Sequence, residues 1–246
     1  MKYFLIILLA FLFFGSCKKD SQTPMGELEL VNSYTVDVPE LSGLSFGPDG
    51  NTLLTVSDKT NRIYELDMEG VVLRTLEFEG VDLEGVTYNP DENLIAVVDE
   101  SLRSVTLVDY NSGHDLETYP IDILYGSLTN GLEGISYNIS NKDYYIVNEK
   151  DYGMLVVWNP LSGLISQSLL QFAADYSGIY TDVESSVLWI VSDESKRVYK
   201  CNLNAEVTMT YNLDALKYEG IVIDNDLIYL VNDATSKLNV YRVKND

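Results

Sequence analysis

The chain has 246 residues, 46% of them hydrophobic, enough to bury a sizeable core in one all-β domain or in two small ones. Its formal charge of −22, from 16 basic and 38 acidic residues, weighs against nucleic acid, whose phosphates need Lys and Arg, and against flat adsorption on anionic lipid. Acid in such excess serves solubility or converges on a cation, and the internal repeat has to arbitrate.

Met1 to Ser16 reads as a signal peptide, with Lys2, an apolar run from Tyr3 to Phe14, and the small pair Gly15-Ser16 before Cys17. The run is too short and too terminal to favour a spanning helix. Small residues directly before a cysteine resemble the lipobox of bacterial lipoproteins, so Cys17 is expected to carry lipid and to become the mature N-terminus. Phe14 stands where Leu is usual, and an ordinary signal with an incidental cysteine is the alternative. Lys18 to Glu27 lacks apolar periodicity and reads as a flexible tether, which leaves residues 28–246 as the folded domain. With Cys17 lipidated, Cys201 is alone and no intrachain disulfide is possible.

The domain is expected to be built from five copies of one unit. Related stretches occur at 41–46, 82–88, 132–137, 176–180 and 218–222, and their glycines, 43, 85, 134, 178 and 220, are spaced by 42, 49, 44 and 42 residues. Such a period marks a propeller or solenoid. In the first unit a short strand (44–46), a Gly-Pro-Asp-Gly turn, an apolar strand (53–56), a polar loop, the alternating strand 62–66, an Asp-Met-Glu-Gly turn and a strand 71–76 follow in order. Four strands per unit make a propeller blade. Second strands at 94–98, 144–147, 188–191 and 227–231 are apolar on both alternations, as strands covered on both faces must be. The fifth unit stops after its third strand, whereas 28–38 is a surplus strand at the other end. Pairing the two closes the ring and predicts an all-β, five-bladed β-propeller.

First strands line the axis of a propeller, and the starts of first strands share a rim with the ends of second strands. Ser42, Glu84, Glu133, Ser177 and Glu219 precede the five glycines, and Asp58, Glu100, Glu149, Asp193 and Asp233 end the second strands. Three glutamates around a narrow axis repel one another unless protonated or neutralised by a cation. Hard oxygen ligands suit Ca²⁺, so Glu84, Glu133 and Glu219 are the candidate metal ligands, set against a plain role accepting backbone N–H groups at tight Glu-Gly turns. Ser42 and Ser177 offer neutral oxygens or room for water, and Asp99 and Asn148 are further donors near the rim, beside Glu149 and Asp193. For the second acidic series, ion pairs with Arg62, Arg103, Lys150, Arg197 and Lys237, or turn caps, are the simpler reading. The glycines are expected to permit positive φ and close approach at a crowded axis. Ile121 to Asn130, with Tyr125, lengthens one connection across the rim, and Tyr88, Tyr137 and Tyr180 read as core.

Leu41-Ser42-Gly43-Leu44-Ser45-Phe46, the stretch 57–67, Asp82 to Tyr88 and Val97-Val98-Asp99-Glu100 resemble the SdiA-regulated, or YjiK-like, family over 28–246. The resemblance implies a five-bladed propeller of the cell envelope, remotely like NHL repeats, with a bound calcium ion and no established activity. It carries calcium onto Glu84, Glu133 and Glu219, with Ser42 and Ser177 where the ring of glutamates is incomplete. The first functional expectation is a monomeric, lipid-anchored binding module that receives an envelope protein or a saccharide. A metal-dependent hydrolase is the alternative, because propellers with an axial Ca²⁺ also resemble lactonases and phytase-like esterases. A purely structural metal, with the blade edges holding a partner, is the third reading. Against the enzyme stand a single histidine, His114, placed in a turn away from the rim, and the lack of a Gly-x-Ser-x-Gly elbow.

Overall fold

The computed structural model describes residues 23–124 and 130–244. The expected signal peptide, Cys17, the first part of the expected tether and Tyr125 lie outside the described residues.

Among the described residues, five blades of four antiparallel strands succeed one another along the chain, one of them extended by a fifth, parallel strand. Two strands precede the first complete blade, β1 (Met25–Gly26) and β2 (Leu28–Thr35). Blade one is β3 (Leu41–Phe46), β4 (Thr52–Ser57), β5 (Arg62–Asp67) and β6 (Val72–Glu79). Blade two is β7 (Leu83–Asn89), β8 (Leu94–Asp99), β9 (Ser104–Asp109) and β10 (Asp115–Pro120). Blade three is β11 (Leu132–Asn138), β12 (Asp143–Asn148), β13 (Met154–Asn159) and β14 (Gly163–Leu169). Blade four is β15 (Gly178–Asp182), β16 (Val187–Ser192), β17 (Arg197–Asn202) and β18 (Val207–Asn212). Blade five is β19 (Tyr218–Asp224), β20 (Leu227–Asn232) and β21 (Lys237–Val243), completed by β2 in antiparallel register from Leu28↔Val243 to Thr35↔Lys237. The surplus N-terminal strand therefore closes the ring as its sequence position implies.

The tether departs from expectation at its end. Met25 and Gly26 pair in parallel with Thr210 and Tyr211 on the open outer edge of β18, and Thr210 N–H donates to Pro24 O at 3.0 Å. Gly26 permits this because a Cβ there would meet the Tyr211 ring.

The apolar second strands are buried along nearly their whole length, since a neighbouring blade covers each face. The core is accordingly divided into five hydrophobic clusters, each wedged between adjacent blades. The cluster between blades five and one, with Val36, Val38, Leu41, Leu53, Val231 and Leu238, is built like the other four. Outer strands β10 and β14 are largely exposed. Asp67, Asp109, Asn159 and Asn202 end the third strands, and each accepts backbone N–H groups of the turn that follows. The local chemistry of these side chains stops the strand and starts the turn.

First strands are also tied to one another. Tyr88 N–H donates to Ser45 Oγ at 3.1 Å, Tyr137 N–H to Thr87 Oγ1 at 3.0 Å, and Thr181 N–H to Ser136 Oγ at 2.9 Å. Tyr180 occupies the place of the hydroxyl residue in blade four, one residue earlier in its strand than Tyr88 and Tyr137 in theirs. The reading of these three tyrosines as one core position is corrected on this point. Tyr137 is 9% exposed, whereas Tyr88 and Tyr180 are only half-buried, and all three border a cavity.

Candidate functional site

The axis is pinched shut at its waist by the five repeat glycines. A Cβ on Gly43 would lie 2.8 Å from Gly85 Cα, one on Gly85 would strike Glu133 O, and one on Gly134 would lie 2.8 Å from Gly178 Cα. One on Gly178 would lie 3.2 Å from Gly220 Cα, and one on Gly220 would lie 2.6 Å from Leu44 N. Each glycine thus abuts the next blade, and the circle returns to its start. Only Gly43 of the five has positive φ, at 59°, so close approach rather than left-handed backbone is the general reason for glycine here. The space left at the waist is about 0 Å³, less than the roughly 10–15 Å³ a water molecule needs. The propeller has two separate mouths.

The first mouth is a cavity of about 180 Å³ and contains the residues that the sequence singles out. Glu84, Glu133 and Glu219 all line it, together with Ser42, Ser177, Glu149 and Asp193. The structure brings Glu84 into a group with Asp58 and Asp82, and Glu133 into a group with Glu100 and Glu149; within each group one oxygen per residue lies within 4.8 Å of the others. Glu219 is placed differently. Lys217 Nζ lies 3.4 Å from its Oε1 and 3.5 Å from Asp193 Oδ2, and the Lys217 backbone N–H donates to Asp193 Oδ1.

The burial of so many acids has electrostatic consequences. Glu133 is 7% exposed, and its carboxylate accepts no hydrogen bond from a described residue. Burial, then the charges of Glu84, Glu219, Glu100 and Glu149, push its carboxyl well above the usual range. Burial, then Asp58, Glu219 and Glu100, do the same to Glu84. Glu219 is pushed up by burial to about 7, with Lys217 restraining it. Asp58 is raised by burial and by its contact with the Asp82 carboxyl, and Glu100 by burial, although Gly131 N–H donates to its Oε1 at 2.8 Å.

The neutral residues have structural work. Ser42 Oγ donates to Glu84 O at 2.6 Å and Ser177 Oγ to Tyr218 O at 2.9 Å, so each serine ties its strand to the next blade. Asp99 is engaged away from the cavity. Its Oδ2 accepts the N–H groups of Val81 and Asp82 at 3.0 and 3.1 Å, and its Oδ1 that of Leu102 at 2.9 Å. Asn148 is fully buried, donates to Lys150 O at 3.3 Å, and leaves Oδ1 without a partner; it does not line the cavity either. Ser57, Ser192 and Asn232 occupy the same blade position and likewise hold neighbouring loop groups.

The expected ion pairs of the second acidic series hold at Glu149, 2.7 Å from Lys150. Two other positions depart from the expectation: Arg62 pairs with Glu79 on its own sheet at 2.5 Å, and Asp193 takes Lys217 instead of Arg197. Strand pairing explains the first, since Arg62 lies opposite Glu79 across β5 and β6. Asp82, Asp175 and Lys217 are the rim residues that the motif reading passed over. They share one signal with Glu40, because all four stand three residues before a repeat glycine. Asp175 is 2% exposed and accepts hydrogen bonds from Ser192 Oγ and the N–H groups of Asp193 and Glu194. His114 is exposed, 3.7 Å from Glu77, and lines neither mouth.

Among solved structures, the chain is similar to the crystal structure of Myxococcus xanthus glutaminyl cyclase, with a TM-score of 0.70 at 13% identity over 91% of this chain and 100% of that one. At that identity the likeness shows the fold alone. The family model described as SdiA-regulated matches residues 28–236, from the closing strand to the loop before the last one. The chain belongs to the SdiA-regulated family.

Proposed function

We propose that this propeller is a lipid-anchored module of the bacterial cell envelope that holds a calcium ion at its acidic mouth and receives a protein or saccharide ligand there. The observation that carries the reading is Glu133, a carboxylate buried among four others without a hydrogen-bond donor of its own. A buried carboxylate in that position is costly unless protonated or neutralised. The donors fit the ion. Calcium takes about six to eight oxygens at roughly 2.3–2.6 Å, so two oxygens on one ion stand no more than about 5 Å apart. Both acidic groups meet that bound at 4.8 Å, and neither contains nitrogen or sulfur. Glu100, Glu133 and Glu149 are the better-supported seat because their group includes the buried member. Asp58, Asp82 and Glu84 stand second, and Glu219 is held by Lys217.

Titration calorimetry and thermal melting with Ca²⁺ and Mg²⁺, on the chain from Lys18 onward, test this. Calcium should bind and raise the melting temperature, and Glu133→Gln should weaken binding at least about tenfold while leaving the apo protein as stable or more so. Absence of both effects sinks the metal reading. The lipid anchor rests on Gly15-Ser16-Cys17, and Cys17→Ser should release the protein from the membrane fraction. The hydrolase alternative has less support, since Lys217, the one basic residue lining the mouth among the described residues, is occupied by Asp193 and Glu219. Turnover of a lactone or phosphate ester that is lost in Glu84→Gln would reverse this order.

A further inference from the structure

The second mouth, beyond the glycine waist, is wider and made of different chemistry. It is a cavity of about 700 Å³, within the roughly 300–1,000 Å³ range of small-molecule sites. Four aromatic side chains line it: Phe46, Tyr88, Tyr137 and Tyr180. Phe46 and Tyr180, from blades one and four, meet edge to face with centroids 6.1 Å apart and an interplanar angle of 80°. The other two rings are anchored by their hydroxyls. Tyr88 Oη donates to Asn93 Oδ1 at 2.8 Å and Tyr137 Oη to Asp91 Oδ2 at 2.7 Å, and neither acceptor lines the cavity. These rings are thereby held in place and offer hydrocarbon and π surface to the space they border. Tyr180 Oη has no partner among the described residues.

Around the aromatic wall stand Asp49, Asp182, Glu184 and Asp224, and no Lys, Arg or His lines the cavity. The carboxylates act on the rings. Burial, then Asp182, Asp224 and Glu184, push the Tyr180 hydroxyl up to about 12, and burial with Asp49 raises that of Tyr88. Aromatic rings bounded by carboxylates, with no base among the lining residues, attract a cation of low hydration, whereas an anion is repelled. A hard metal ion is poorly served, because among the described residues no three of these carboxylates bring one oxygen each within 4.8 Å of one another.

We propose that this mouth binds an organic cation, the alkylammonium or guanidinium head of a small molecule, seated against Tyr180 and Phe46 and balanced by Asp182 and Asp224. It is a site distinct from the acidic mouth, with the glycine waist between them.

Choline is a suitable probe, compared by calorimetry with its uncharged isostere in which carbon replaces the ammonium nitrogen. Choline should bind at least about tenfold tighter than the isostere, and added salt should weaken it. Asp182→Asn with Asp224→Asn should lower choline affinity by about tenfold at an unchanged melting temperature. Tyr180→Phe, which keeps the ring, should retain binding, and Tyr180→Leu should lose it. Glu133→Gln at the other mouth should leave choline binding unchanged. Equal affinity for choline and its isostere, no choline binding at all, or binding of methyl glucoside in place of choline would each overturn the proposal.

Discussion

Glu65 Oε1 accepts hydrogen bonds from Thr52 Oγ1 at 2.8 Å and from Tyr110 Oη at 2.7 Å, while its Oε2 takes Arg74 Nε at 2.7 Å. Arg74 reaches on to Tyr110 O at 2.9 Å and lies 4.3 Å over the Tyr110 ring, so one carboxylate clasps blade one to blade two. Burial opposes its ionisation, yet the donors Tyr110, Arg74 and Thr52 together hold it below the usual carboxylate range. A depressed carboxyl stabilises the fold at pH above its ordinary value of 4.5 and loses that contribution as pH falls through the folded value. Glu65→Gln should cost about 2 kcal/mol at neutral pH, and its deficit against the wild type should shrink in chemical denaturation below pH 4.5. A deficit independent of pH would show that packing, and not charge, holds this joint. Single residues were unevenly legible. Glu84, Glu133 and Glu219 stand out because a glutamate precedes a repeat glycine, whereas Lys217 and Asp82 were hidden because their blade position holds Glu, Asp, Gly, Asp and Lys in turn. A position whose charge changes sign around the ring leaves no consensus to read.

Strands and turns were the most legible level, since one four-strand order is written five times and each copy corrects the others. The turn between second and third strands repeats in geometry as well. Asn61, Arg103, Lys196 and Ser236 all adopt positive φ, at 52°, 49°, 51° and 47°. Asn tolerates that conformation and Lys pays a steric penalty, which sequence alone conceals because the side chain is solvated. Lys196→Gly should therefore stabilise the domain by roughly 0.5–1 kcal/mol, measured by urea denaturation. The glycine waist gives the opposite sign. Gly85→Ala places a methyl group against Glu133 O and should cost about 3 kcal/mol or prevent folding. Strand β1 was illegible, because two residues carry no period, and its pairing depends on an open edge in blade four that lies far away in sequence.

At the scale of the whole molecule, closure depends on β2. Its register with β21 runs over the full strand, and Val36 and Val38 behind it fill the cluster that joins the last blade to the first. A chain that begins at Asp37 should lose its cooperative thermal transition or fall by more than about 10 °C, whereas one that begins at Glu27, without β1, should melt within about 3 °C of the full domain. The five-fold count was readable from the glycines alone, but the division of the axis into two chambers was not. It depends on how near each glycine comes to the next, and spacing along the chain does not record distance across it.

The order of β1 and β2 has a mechanical consequence. The tether, β1 on the edge of blade four and β2 in blade five are connected in series, so tension on the N-terminal segment reaches β1 before it reaches the strand that closes the ring. The two-residue parallel pairing is shorter than the seven paired positions of β2, so under such tension it should yield first, and a pulling experiment on the N-terminal segment should record a small extension before the ring opens. In that order β1 stands as a small latch in front of the main clasp, and because it belongs to none of the five four-stranded blades, its detachment should leave both mouths unchanged.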